Sequence, residues 1–254
     1  MGRHSSKISR IEHGKILPSA ADIHGWCDHC AANDQVADLV ASLRAVESAY
    51  VEWRRLETSG LRPLQVSYLP LYEATRRFRV YQSHVVPGLI QTPDYATALL
   101  SSIAAFRRLP DDIEAAVTAR VERQRLLSHG DHRFAVVLEE SVLRHQIGPA
   151  DVMAAQLGHL IAVATLPSMS LGIIPFDTPD RPVWPVEGFG IFDDDRVNVE
   201  LLSARVIVTQ PREVAVYTQA FTGLAGLAVH GRTARSLITA AIDALGDDPG
   251  TRPA

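Results

Sequence analysis

Ser5-Ser6-Lys7-Ile8-Ser9-Arg10-Ile11-Glu12-His13-Gly14-Lys15, followed by Pro18-Ser19, is the stretch on which the reading of this chain turns. Ser5 or Ser6 can cap a helix, and Ile8 and Ile11, three apart, give that helix one apolar face. Gly14 suits the left-handed residue that ends a helix. Ser19 and Asp22 have capping-box spacing for a second helix through Ile23, Trp26 and Cys27 to Cys30. The pattern is that of a recognition helix, a short turn and the next helix of a helix-turn-helix. On that reading Ser6, Lys7, Ser9, Arg10 and Lys15 offer donors to phosphates or base edges. Only Met1 to His4 precede the stretch, so the two helices that normally support a recognition helix are expected to be missing and DNA binding to be impaired. The competing reading is a basic amphipathic helix at a frayed end.

The chain has 254 residues, of which 46% are hydrophobic and 21% charged, with a net charge of -4. That is an ordinary folded chain with room for one large domain or two unequal ones, and its acid balance excludes a binder that is basic all over. Charge is nonetheless uneven. Arg3, Lys7, Arg10 and Lys15 meet only Glu12 near the N-terminus, while Arg54, Arg55, Arg62, Arg76, Arg77 and Arg79 outnumber Glu52, Glu57 and Glu73. A basic head on an acidic body fits a protein that meets phosphate on one face, although the second cluster fits a solvated surface equally well. No apolar run reaches the roughly eighteen residues of a membrane helix, and no signal core opens the chain, so the expected location is cytoplasmic.

Cys27 and Cys30, with His24 and His29 beside them, raise a zinc or redox site. No second ligand pair follows at zinc-finger spacing and no strand-turn precedes, so two cysteines one helical turn apart are expected simply to pack. Neither a metal nor a cofactor is expected.

Outward from the head, Asp34 reads as the N-cap of a linker helix running to about Glu57. Its Val36, Leu39, Leu43, Val46, Tyr50 and Trp53 alternate in spacings of three and four, as a narrow packing seam requires. The seam serves either a homodimer or docking on the chain's own body, and the pattern leaves both open. Gly60, Pro63 and Pro70 mark Thr58 to Pro70 as a domain boundary. Beyond it, strands are expected near Phe78–His84, Phe134–Leu138, Ser170–Phe176, Gly188–Phe192, Val197–Leu202 and Arg205–Thr209, with helices between and after them. The fold class is therefore α+β: a partial helix-turn-helix (1–33), a linker helix (34–57), an α+β regulatory domain with a mixed sheet packed by helices (65–246) and a flexible polar tail (247–254).

In the body, Glu139, Glu140, Arg144, His145, Glu200 and Tyr81 are the residues that could carry chemistry. Successive strand residues point to opposite faces, so Glu139 and Glu140 do not form an acid/base pair, and Glu140 with Arg144 reads as a structural ion pair. No nucleophile elbow, phosphate loop or metal-spaced set appears, so no catalytic residue is assigned and the chain is not expected to be an enzyme. Val85-Val86-Pro87-Gly88-Leu89-Ile90-Gln91 gathers apolar side chains beside a proline and a glycine. With Tyr95 it reads either as a tight turn docked by a helix or as a ligand- or partner-binding patch marked by Val86, Leu89, Gln91 and Tyr95.

Taken together, these residues resemble the bacterial XRE-type (Cro/repressor-like) regulators that carry a C-terminal domain of undefined function. The resemblance covers almost the whole chain. It rests on Ser6–Lys15 with Pro18-Ser19 and on Val85–Pro93 with Tyr95-Ala96. It also rests on Arg123-Gln124, Glu140-x-x-Leu143-Arg144 with Gly148, Gln156-Leu157 and Val197-x-Val199-Glu200. It implies an antitoxin-like, DNA-binding transcriptional regulator with a small partner protein encoded nearby, a homodimeric state and a small-molecule effector. The departure is at the front, where the family carries two further helices. A late-assigned start, a shortened chain and a real loss of DNA binding are the three explanations, and in the last case a sensor domain without DNA binding remains as the alternative function.

Overall fold

The run Phe134-Ala135-Val136-Val137-Leu138 lacks a polar residue on either face, which a strand tolerates only when both faces are covered. In the computed structural model, which describes residues 5–40, 43 and 50–246, this run lies inside β3 (Arg133–Glu139). Parallel β2 (Arg77–Gln82) flanks it on one side and parallel β4 (Met169–Ile174) on the other. Antiparallel β5 (Phe189–Phe192) pairs with the other edge of β2, followed by β6 (Arg196–Glu200) and β7 (Ala204–Val208). With the short β1 (Tyr50–Glu52) the sheet is seven-stranded and mixed, in the order β1-β7-β6-β5-β2-β3-β4. The expected α+β class with a mixed sheet is what the chain forms.

Helices cover both faces. Phe78, Val136, Leu138, Leu171 and Ile173 point into a core shared with Ala150–Val163 and the last helix, Gly231–Gly246. Tyr81, Val137, Ile174, Ile191 and Val197 point the other way, under Pro211–Leu227. Phe78 is registered with Phe134 on one side and Phe192 on the other, and its ring lies 4.6 Å from the first and 5.8 Å from the second. Such offset and edge contacts add to plain burial.

The chain divides into two units, Met1–Val51 and Glu52–Ala254. In the first, helix Ser5–Glu12 stops at Gly14, whose φ of 65° is left-handed. Lys15 N donates to Arg10 O at 2.7 Å and Gly14 N to Ile11 O at 2.9 Å, so the last carbonyls are satisfied as in a Schellman cap. Helix Ala20–His29 follows, with the expected capping box between Ser19 and Asp22. Ile23, Cys27 and Leu43 form a small core with Val36 and Val40 beside it.

Two expected boundaries move. The linker helix does not run through to Glu57: residues 36–40 are helical, but Tyr50–Glu52 is strand and a separate turn of helix covers Trp53–Leu56. Trp53 explains the break, since its backbone N–H donates to Ser203 O at 3.1 Å and its indole N–H to Leu201 O at 2.8 Å, tying the segment to the start of β7. The seam divides accordingly: Leu43 and Trp53 are buried, Leu39 and Tyr50 are exposed, and Val46 lies outside the described residues. Thr58 to Pro70 is likewise no linker, because Leu61–Ser67 and Leu69–Ala74 are helices. Pro63 and Pro70 sit in their first turns, where no intrahelical N–H is needed. Met1–His4 and the tail 247–254 lie outside the described residues.

Candidate functional site

Ser6, Ser9, Arg10 and Lys15 are exposed on the first unit. Lys7 has a second duty, since its Nζ lies 2.8 Å from Asp22 Oδ2 and ties the first helix to the capping box of the second. Asp22 is only 2% exposed and also accepts from Ser19 N at 2.8 Å, so one carboxylate holds cap and lysine together. Cys27 is buried and Cys30 exposed, both as free thiols, and among the described residues no cluster of His, Cys, Asp or Glu could hold a metal.

The two adjacent carboxylates of the body separate, not by alternation along one strand, but because Glu139 ends β3 and Glu140 opens the short helix Glu140–Arg144. Glu139 accepts from the Tyr81 hydroxyl at 2.8 Å and pairs with Arg181 through both oxygens, at 2.5 and 3.0 Å. Burial and the hydrogen bond to Glu139 push the Tyr81 hydroxyl well above its ordinary range. Glu140 pairs with Arg144 at 3.0 Å and accepts from Phe176 N, as a structural ion pair would. Arg144 and His145 are exposed and belong to no shared cluster with Glu139.

The Val85–Gln91 block is a hydrogen-bonded turn. Val86, Ile90 and Tyr95 are fully buried and Gln91 is 1% exposed, while Val85 and Leu89 are half-buried. Val86 N donates to the Tyr95 hydroxyl at 3.3 Å, Gln91 Nε2 to Val86 O at 2.7 Å, and Gln156 Nε2 to Ile90 O at 2.9 Å. Val86, Leu89 and Gln91 nonetheless line the wall of a cavity of about 260 Å³ on the sheet face between β2, β5 and β6; Tyr95 stays in the core.

The sequence motifs name Arg123 and Glu200 but give no role to the two arginines of this cavity. Arg120 and Arg123 share one acceptor: Arg120 Nε donates to Gln65 Oε1 at 3.1 Å, and Arg123 Nη2 donates to the same oxygen at 2.8 Å. Arg120 is further held by Gln91 Oε1 at 2.6 Å. Burial first, and the positive charge of Arg123 second, lower the Arg120 pKa to about 10. The Arg123 guanidinium lies 5.2 Å from the Tyr68 ring and 5.1 Å from that of Tyr72. The tyrosines of this wall are themselves strained toward neutrality, burial raising the Tyr68 and Tyr72 hydroxyls, with the Glu200 carboxylate adding to it. Arg120 lies in the last turn of the helix Ile113–Glu122 and Arg123 opens the 3-10 turn that continues it, so the two like charges three apart repel, and that spacing, Arg120-Val121-Glu122-Arg123, is the signal the sequence carries. Tyr68, Tyr72, Gln65 and Asn198 had none, because only tertiary structure brings them there.

The class of protein these features define is a mixed-sheet α+β domain preceded by a small helical unit. A family model described as "Domain of unknown function (DUF5753)" matches residues 67–240, and the chain belongs to that family. No curated protein matches the chain. Among solved structures, a phospholipase D family member, Nuc from Salmonella typhimurium, is similar at 13% identity and a TM-score of 0.36, covering 67% of this chain and 90% of that one. TrmBL2, described as an archaeal chromatin protein with a novel mode of DNA binding, is similar at 13% identity and a TM-score of 0.35, covering 83% of this chain and 68% of that one. Likenesses this distant carry no argument about what this chain does. Among the described residues no helix is long and apolar enough to cross a membrane.

Proposed function

We propose that the chain is a DNA-binding transcriptional regulator of the antitoxin-like kind, and that the helical unit Met1–Val51 makes the DNA contact. The observation that supports this is the pair of tightly capped helices, Ser5–Glu12 and Ala20–His29, with Ser6, Ser9, Arg10 and Lys15 exposed around the first. Hydroxyls and cations on a short helix held by a second helix are the donors that phosphates and base edges accept. Lys7 acts mainly as the brace between the helices, so Arg10 and Lys15 carry the phosphate contact. The chemistry of the body fits regulation better than catalysis, since its carboxylates are consumed in ion pairs with Arg144 and Arg181.

Fluorescence anisotropy with labelled duplex DNA from upstream of the gene tests the reading. Binding should weaken steeply between low and physiological salt, and Arg10→Ala should lower affinity and flatten the salt slope by about one unit. A salt-insensitive interaction, or an Arg10→Ala variant indistinguishable from wild type, would overturn it.

A further inference from the structure

We propose that the cavity between β2, β5 and β6 is a binding site for a small molecule with a carboxylate group and a short apolar body, the carboxylate meeting Arg123 and Asn198. The site lies in the second unit and stands whether or not the first unit binds DNA.

Three observations carry it. Arg123 is only 5% exposed, and among the described residues its Nε and Nη1 meet no hydrogen-bond acceptor. A buried guanidinium ordinarily has its donors satisfied, because leaving a charged donor unpaired costs several kcal/mol. The Tyr68 and Tyr72 rings face its charge but offer no lone pair to those nitrogens. Asn198, 7% exposed, supplies a second such group: its Oδ1 accepts from Arg196 Nε at 2.8 Å, while its Nδ2 has no acceptor among the described residues. Both residues line the same hollow. Their free groups are all donors, so the missing partner is an acceptor.

The balance of charge is the second observation. Arg120 and Arg123 crowd one oxygen of Gln65, and Arg205 lies 5.3 Å from the Tyr68 ring, with its own Nε buried and unpartnered among the described residues. Among the described residues neither Arg120 nor Arg123 forms a salt bridge. Glu200 also lines the cavity, its carboxylate 3.5 Å from the Tyr68 hydroxyl, and offsets part of this charge. The cationic excess remains. The lowered pKa of Arg120 agrees, since an anion beside the pair would raise it again.

Shape is the third. A volume of about 260 Å³ falls at the small end of ligand sites, below the roughly 300 Å³ at which drug-sized pockets begin, and suits a compact ligand. Phe78, Phe192 and Leu89 supply an apolar wall for the ligand's body, and Gly190 leaves the β5 face open where another residue would project a side chain. Nε and Nη1 lie on different edges of the guanidinium, so a carboxylate takes a charge-assisted bond from one of them through one oxygen and a bond from Asn198 Nδ2 through the other.

Isothermal titration calorimetry on the full chain, at fixed ionic strength and without DNA, tests the assignment with three probes. Benzoate supplies the carboxylate and apolar body, benzamide is its neutral counterpart, and inorganic phosphate is an anion without a body. The expected result is saturable one-to-one binding of benzoate, no binding of benzamide, and phosphate at least tenfold weaker than benzoate. Arg123→Gln should weaken benzoate tenfold or more. Asn198→Asp keeps an acceptor for Arg196 and places a carboxylate in the cavity, so it should raise the unfolding midpoint without ligand and weaken benzoate tenfold or more. No saturable benzoate binding, equal binding of benzamide, or undiminished benzoate binding in either variant overturns the site. Phosphate binding tighter than benzoate overturns the carboxylate class. Because no DNA is present, failure here and failure of the regulator reading are separate results.

Discussion

Gln156 sits at 0% exposure in the middle of the apolar helix Ala150–Val163, between Met153, Leu157 and Leu160. An amide there is explained by two bonds to the Val85–Thr92 turn: Oε1 accepts from Thr92 N at 2.7 Å, and Nε2 donates to Ile90 O at 2.9 Å. Gln156→Met keeps the length and most of the volume but removes both partners. Ile90 is fully buried, so its carbonyl would bear a full penalty of about 1–3 kcal/mol, while the half-buried Thr92 N–H, within reach of water, would lose about 1 kcal/mol. A thioether is cheaper to bury than an amide, which returns on the order of 1 kcal/mol. The net expectation is a loss of about 1–3 kcal/mol. For a body of this size that lowers the melting temperature by about 2–12 °C. Urea unfolding followed by near-ultraviolet circular dichroism measures it, and the Thr92 amide should exchange with solvent at least tenfold faster. Gln156→Glu sharpens the test. The ionised carboxylate still accepts from Thr92 but cannot donate to Ile90, so the variant should be much less stable than Gln156→Met at pH 7. Protonation restores the donor, and the deficit should shrink toward pH 4. If Gln156→Met unfolds within about 0.5 kcal/mol of wild type, the turn is not held by this side chain and the reasoning is wrong.

Further expectations concern the other braces. Asp22→Ala removes the reciprocal half of the capping box (the carboxylate that accepts from Ser19 N) and the partner of Lys7, while Ser19 Oγ still accepts from the backbone N of residue 22. It should destabilise the first unit by about 1 kcal/mol, seen as lost amide protection at Ser19; unchanged protection would show that the box is ornamental. Gly14→Ala meets no atom within 4 Å, so its whole cost is the left-handed backbone, about 1–2 kcal/mol by thermal unfolding, and a neutral result would place the helix end elsewhere. Glu57 is 1% exposed and burial raises its pKa above 4.5, although Arg107 pulls the other way. The native state then holds that proton more tightly than the unfolded chain, so this group's contribution to stability falls as pH rises from about 4.5 through its folded value. Glu57→Gln should remove that slope, and the stability of the variant relative to wild type should rise with pH across the window in urea titrations.

How much of this was legible follows the range of each signal. Capping at Ser19 and Asp22, the stop at Gly14 and the strand run at 134–138 are local matters of spacing and residue type, and they appear where the sequence puts them; the strand expected at Val197–Leu202 forms at Arg196–Glu200 instead. The helix through Tyr50 failed because a three-four alternation was read without knowing that Trp53 would bond to Leu201 and Ser203, about 150 residues away. Pro63 and Pro70 punctuate the sequence as a boundary does, yet each sits in the first turn of a helix, a role the same residue plays equally well. The cavity was half visible. Val86, Leu89 and Gln91 were singled out for their apolar cluster, yet the charged half arrives from three distant segments, with Gln65 on one helix, Arg120 and Arg123 on another and Asn198 on β6.

The turn and the cavity are one construction. Gln156 fixes Ile90 and Thr92, which sets the backbone on either side of Gln91. Gln91 is then gripped at both ends, its Nε2 by Val86 O and its Oε1 by Arg120, while Gln124 Nε2 donates to its carbonyl. Arg120 in turn shares Gln65 with Arg123. Each link up to the guanidiniums is partnered, and at the cavity wall Arg123 Nε and Nη1 and Asn198 Nδ2 have no acceptor among the described residues. Stability alone does not explain such an arrangement, since two guanidiniums on one amide oxygen repel and an apolar pair of the same volume would pack at lower cost. A rigid scaffold that ends in unsatisfied donors is what a binding site needs, because a preorganised pair loses little freedom when its ligand arrives. The Val-Pro-Gly-Leu-Ile-Gln-Thr block is thus held by Gln156 on one side and by Arg120 on the other, and its Val86, Leu89 and Gln91 line the same cavity wall as the two guanidiniums.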